Sequence, residues 1–235
     1  MCFSIEGDLI GGAAVVAIGI DACRHLKAMP EYRFVAILPV VLGLHQIDEA
    51  FVWLSLQGRV SESVGNVSMW IYLVFALVIL PVLAPLLVLS IEPTQPRRRR
   101  IVPFILLGVA VAILMAWALL SSPPTAHLGA YHLAYSIGLS HGIVITGLYI
   151  VATCGPMLVS EYRHVVLFGF ANLIALVTLA RLCANGFASL WCFYAALTSG
   201  AIALYLRFGS RPSANAAHAG GSPSPLAQNL ESETL

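Results

Sequence analysis

His45, Asp48 and Glu49, with Gln46 beside them, are the residues of this sequence whose types and spacing suit acid–base chemistry. Separations of three and four place them on one broad stripe of a helix. A carboxyl group and an imidazole held that close can pass a proton to and from a bound group, which is the pairing general acid–base catalysis uses. Their surroundings make them costly. Between Arg33 and Arg59 the chain reads FVAILPVVLGLHQIDEAFVWLSLQG, apolar and long enough to cross a hydrocarbon core of ~30 Å. An ionisable side chain in such a span costs about 3 kcal/mol even on lenient insertion scales, so it faces a protein interior or a wet cavity and marks function.

Partners for this stripe come from later in the chain. Arg181 is deep enough in its apolar run to meet Asp48 or Glu49, or to snorkel to the interface. His141 shares a small-residue stripe with Ala134, Gly138 and Gly142, which points it toward neighbouring helices. The sequence assigns catalysis to Glu49 and His45, with Asp48, His141 and Arg181 tuning or orienting them. His45, Glu49 and His141 are chemically adequate ligands for zinc or iron, but no HxxxH or ExxH pattern joins them, so metal and cofactor stay open. Asn172 is a candidate for gluing helices together, while Trp70, Tyr72, Trp117 and Trp191 read as interfacial anchors.

Composition fixes the class. Of 235 residues, 59% are hydrophobic and 10% charged, against about 25% charged in a soluble domain. The expected fold is all-α, a polytopic membrane protein of seven transmembrane helices. The apolar runs extend over Leu9 to Leu26, Phe34 to Leu56, Val64 to Ile91, Ile101 to Leu120, Leu128 to Leu158, Val165 to Ala184 and Phe187 to Phe208. Pro81 and Pro85 predict a kink in the third, and Gly155-Pro156 a bend or end in the fifth. Residues 1–208 make the transmembrane domain, and 209–235, rich in Ser, Pro, Ala and Gly, a disordered cytoplasmic tail. No cleavable signal peptide is expected, because Glu6 and Asp8 stand where a basic segment belongs.

Basic residues fall in alternate loops: Arg24, Lys27 and Arg33, then Arg97 to Arg100, then Arg163, then Arg207 and Arg211. The positive-inside rule then puts the N-terminus outside and the C-terminus in the cytoplasm of a cell inner membrane. A net charge of +1 with no basic face excludes a nucleic-acid partner. The implied partners are membrane lipids and a hydrophobic small molecule. The five cysteines include no CxxC pair and read as buried structural thiols.

The opening Met1-Cys2-Phe3-Ser4, His45-Gln46-x-x-Glu49 with Val52-Trp53, Ala152-Thr153-Cys154-Gly155, Leu167-Phe168-Gly169 and Ser189-Leu190-Trp191-Cys192 together resemble an uncharacterised bacterial family of multi-helix membrane proteins. The resemblance spans all but the tail and implies that the acid of the site is Glu49 rather than Asp48. It names no activity. Ceramidase-like hydrolases would need an HxxxH on the last helix and microbial rhodopsins a lysine there; neither is present. The chemistry favours an intramembrane acid–base enzyme acting on a lipid or isoprenoid-like substrate. A proton-coupled carrier and a non-catalytic scaffold or sensor are the alternatives.

Overall fold

The computed structural model describes residues 4–25, 33–129, 133–138 and 142–182, together with positions 194, 196, 198 and 200. It is mostly helical. Helix α1 covers Ile5–His25, α2 Arg33–Leu56, α3 Glu62–Ile91, α4 Gln95–Ser121, α5 Gly142–Leu158 and α6 Arg163–Leu182. Among the described residues, three helices are long and apolar enough to cross a membrane: α2, α3 and α4. The seventh apolar run lies outside the described residues except for four positions, all helical.

The pairing of α1 with α2 positions the site. Ser4 starts α1, its hydroxyl accepting the Gly7 N–H at 3.2 Å, as an N-cap residue does. The buried face of α1 is Ile5, Asp8, Gly12, Val15, Gly19 and Ala22, alternating steps of three and four, the spacing that packs helices side by side. Glycines set the distance. A Cβ on Gly12 would lie 2.7 Å from the Gly43 carbonyl oxygen, and one on Gly43 would lie 2.7 Å from the Gly12 oxygen, so the two backbones touch. Gly19 likewise meets Pro39 and Val40, and the crossing is therefore antiparallel. One turn from the Gly12–Gly43 contact, Asp8 faces Gln46.

Gly58, at φ 71°, ends α2. Its N–H bonds back to Ser55 and that of Arg59 to Leu54, the paired closure that a left-handed glycine permits.

Prolines shape α3. Its middle, Val74–Ile79, is a π-helical turn. There the Leu80 N–H reaches back to the Phe75 carbonyl, and residue 81 is a proline without an N–H, so the Ala76 carbonyl has no donor within its own helix. Tyr149 of α5 supplies one, its hydroxyl donating to Ala76 at 2.8 Å. A neighbouring helix thus satisfies the group the proline strands. The π-helical turn ends two residues before Pro81.

Two expectations need correction. The fifth apolar run is not helical from Leu128: strands β1 (Thr125–Leu128) and β2 (Leu133–Ser136) form an antiparallel hairpin first, with Thr125 opposite Ser136 and Leu128 opposite Leu133. Pro123 and Pro124 stop α4, and Gly129 and Gly138 break the stretch into strand-length pieces. Helix α5 then runs on through Gly155 and Pro156 to Leu158. Tyr72, read as an interfacial anchor, is completely buried in the main core. Trp117, by contrast, is 72% exposed.

Replacing Gly12 or Gly43 by Val is expected to force α1 off α2 and lower stability by about 1–3 kcal/mol, the usual cost of overpacking. Gly147→Ala meets nothing within 4 Å and should leave the melting temperature in detergent level or slightly raised, as an alanine in a helix does.

Candidate functional site

Two faces of α2 diverge at its middle. Gln46 and Glu49 turn toward α1 and the hairpin, while His45 and Asp48 turn toward α3. On the first face, the Gln46 side-chain amide donates to Asp8 Oδ1 at 2.7 Å and to Glu49 Oε2 at 3.2 Å. The Tyr135 hydroxyl, carried on β2, donates to Glu49 Oε1 at 3.2 Å. Asp8, Gln46 and Glu49 are buried. One carboxamide therefore bridges two carboxyl groups from different helices, and a hairpin residue holds the free oxygen of one of them.

The second face is aromatic. The His45 ring lies flat on Tyr72, with centroids 4.2 Å apart and 8° between planes, and Phe75 covers it at 4.6 Å and 45°. Tyr72 in turn stacks on Tyr135 at 5.2 Å. Ser68, Tyr72 and Phe75 are one face of α3, and Ser68 hydrogen-bonds Asp48. The hydrogen-bonded face and the stacked face thus meet at Tyr135, which touches both Glu49 and Tyr72.

The buried polar atoms of α2 without a hydrogen-bond partner among the described residues include His45 Nε2, Asp48 Oδ2 and Trp53 Nε1. Folded proteins leave few such atoms, and each implies water, an ion or a ligand group. His45 is 5% exposed, so bulk water does not serve it.

The chain belongs to DUF6629, a family of unknown function. The family profile matches residues 1–219. No curated protein matches the sequence, and no solved structure matches either.

Of the residues assigned to the site from sequence, His45 and Asp48 lie on the side of α2 that faces α3, and Glu49 on the side that faces α1 and the hairpin. Arg181 stands next to the last residue of α6, with its side chain outside the described residues, and His141 lies outside them entirely. No group of three or more His, Cys, Asp or Glu side chains with metal-binding geometry occurs among the described residues. Asn172 has the helix-joining role expected of it, its amide reaching Met157 Sδ of α5 at 3.6 Å. Cys154 is a free, buried thiol.

Asp8, Tyr135 and the Tyr72–Phe75 pair were not assigned to the site from sequence. Asp8 had a signal: it falls in the same three–four stripe as Gly12 and Gly19, which a merely terminal acid has no reason to join. Tyr135 had a weaker one, the alternation that puts it on the same side of a strand as the fully buried Leu133.

Gln46→Met keeps the volume of the side chain and removes the bridge. It is expected to lower stability by about 1–3 kcal/mol for each acceptor it strands, whereas Tyr135→Phe, which keeps the ring stack, should cost about 1 kcal/mol. Thermal unfolding of the two variants in the same detergent checks the order.

Proposed function

We propose that this chain is an intramembrane acid–base enzyme of the bacterial inner membrane, a seven-helix protein with its N-terminus outside, acting on a lipid or isoprenoid-like substrate. Three apolar helices of spanning length, alternate basic loops and helical positions at 194, 196, 198 and 200 support the topology. One observation carries the chemistry. The His45 ring is fixed between Tyr72 and Phe75, with a buried Nε2 that no described residue satisfies, next to a carboxyl group whose two oxygens are each held by a donor. Rigid placement of both groups is what proton transfer to a bound substrate requires.

In this reading His45 Nε2 meets the polar end of the substrate and Glu49 exchanges the proton. Gln46 fixes the Glu49 carboxyl against Asp8. Tyr135 closes the centre from the hairpin, and Asp48, through its unsatisfied Oδ2, holds a second polar point of the substrate. Arg181 and His141 are assigned the tuning or orienting of the acid from the sequence alone. The substrate's apolar part then lies against the surrounding aliphatic side chains.

A carrier is the second reading, favoured by the π-helical turn that holds Phe75, since such turns occur at functional sites. Purified enzyme would alter a lipid extract, whereas a carrier would only bind from it.

Glu49→Gln and His45→Ala, expressed in native membranes beside the wild type, should fold in normal yield and change the cellular lipid and small-molecule profile. Loss of the acid–base group is expected to lower turnover by about 10²–10⁴-fold. Unchanged profiles together with collapsed yield would reduce the cluster to structural glue.

A further inference from the structure

The start of α4 carries an electrostatic oddity. Arg97, Arg98, Arg99 and Arg100 occupy its first turns, where the helix dipole is already positive, and no acidic residue shares the first turn. The nearest acids are occupied elsewhere. Glu92 is buried, its Oε1 taken by the Ser160 hydroxyl and the Glu161 N–H while its Oε2 has no partner among the described residues, and Glu161 accepts from Thr94. Arg97 donates to the Val159 carbonyl at 3.4 Å, which brings the start of α4 against the loop that leads into Arg163. No acidic side chain pairs with Arg98, Arg99 or Arg100 among the described residues. Arg99, Arg100 and Arg163 are exposed and Arg98 half-exposed.

Below the arginines, α4 presents an exposed apolar stripe: Val102, Leu106, Val109, Ile113, Trp117 and Leu120. Its spacing extends upward to Arg98 and Arg99, four and three residues before Val102. From Ile101 to Ser121 the helix rises about 30 Å at 1.5 Å per residue, the thickness of a hydrocarbon core, so Gln95 to Arg100 project about 9 Å into the headgroup layer. Beside this stripe, between α3 and α4, an apolar groove of about 340 Å³ is lined by Val78, Ile79, Val82, Leu83, Leu86 and Ala112. Ala112 lies about 16 Å below Ile101, one leaflet deep. Beside the groove, Gly108 packs directly on the Pro81 carbonyl, and Ile79, at the end of the π turn, is exposed.

We propose that this surface is a specific site for an acidic diacyl phospholipid of the leaflet that contains the α3–α4 loop. Its phosphate is held by Arg98 and Arg99, which continue the stripe, and one acyl chain runs down the α4 stripe into the α3–α4 groove. Charge complementarity selects an anion. The apolar path that begins at the cations and ends one leaflet deeper selects a lipid rather than free phosphate. The site rests on the placement of α3 and α4 across a bilayer and not on the chemistry of Glu49.

The test uses the full chain, extracted from the membrane fraction in neutral detergent, stripped of lipid, and titrated separately with phosphatidylglycerol, phosphatidylcholine and inorganic phosphate. Melting temperature and lipids retained in native mass spectra are the readouts. Phosphatidylglycerol should be retained and raise the melting temperature, and the other two should not. Arg98→Gln with Arg99→Gln should weaken phosphatidylglycerol binding by about 30-fold, the double Lys variant should keep most of it, and Val82→Trp should weaken it by filling the groove.

Equal retention of phosphatidylcholine, an equal melting shift from inorganic phosphate, or unchanged affinity in the Gln double variant would overturn the lipid site. Unchanged affinity in Val82→Trp would overturn the seat for the acyl chain. Should the Gln variant not fold, the Lys and Trp variants still decide. Glu49→Gln should bind phosphatidylglycerol as the wild type does, so failure of the acid–base reading and failure of this one are separate results.

Discussion

A single carboxamide holds the centre of this protein together. Gln46 reaches one carboxyl group on α1 and another on its own helix, and both bonds are buried. A side-chain amide offers two N–H donors and one acceptor, and in an apolar interior a polar group left unmatched is expensive. The α1–α2 crossing is therefore constrained from two directions. Gly12 and Gly43 allow the backbones to touch, and the touching brings Asp8 within reach of the amide. Loosen either, and the other loses its reason to be where it is. Tyr135 extends the same logic to the hairpin, whose strands pair with each other and whose tyrosine is bonded to Glu49 and stacked on Tyr72.

The helix count per se is less informative than how the helices are punctuated. Apolar runs and prolines made the second, third and fourth spans readable, because a run of more than twenty apolar residues has few other folds open to it. The hairpin was not readable. Its residues are more polar than those of α5, with Thr125, His127, Tyr135 and Ser136 on the strands, but they adjoin α5 without a charged residue between, and the break is marked by a pair of glycines and a pair of prolines. Glu49 and His45 stood out because ionisable groups in an apolar segment always do. Asp8 did not, since a carboxyl near a chain terminus has an ordinary explanation, and only its place in the glycine stripe argues otherwise. Tyr72 was misjudged for a similar reason: aromatic residues near helix starts suit an interface equally well, and burial against His45 depends on a neighbour 27 positions away in the chain.

His45 is held differently from Glu49. Its ring is fixed by stacking, which restrains orientation without consuming Nε2. Hydrogen bonds fix the carboxyl group and occupy its oxygens. One group is thus positioned and open, the other positioned and engaged. Flat aromatic contact within about 5 Å also contributes attraction beyond simple burial, so the open nitrogen is kept in place without a polar anchor of its own.

The π-helical turn in α3 has a geometric consequence for the whole bundle. The buried positions of α3 form two rows, Gly65, Met69, Leu73, Leu77, Pro81, Pro85 and Ser68, Tyr72, Ala76, Leu80, Ala84, Val88, each advancing by four. At 3.6 residues per turn, a step of four overshoots a full circuit by about 40°, and five steps would carry a row roughly 200° around the cylinder. More residues per circuit in the π turn wind part of that overshoot back. It acts as a phase correction, letting the first half of α3 face His45 and the second half face α4 and α5 along one continuous seam. Without the correction, the face that carries Tyr72 and Phe75 would continue through Ile79, Val82 and Leu86, and the groove they now line would point into the protein.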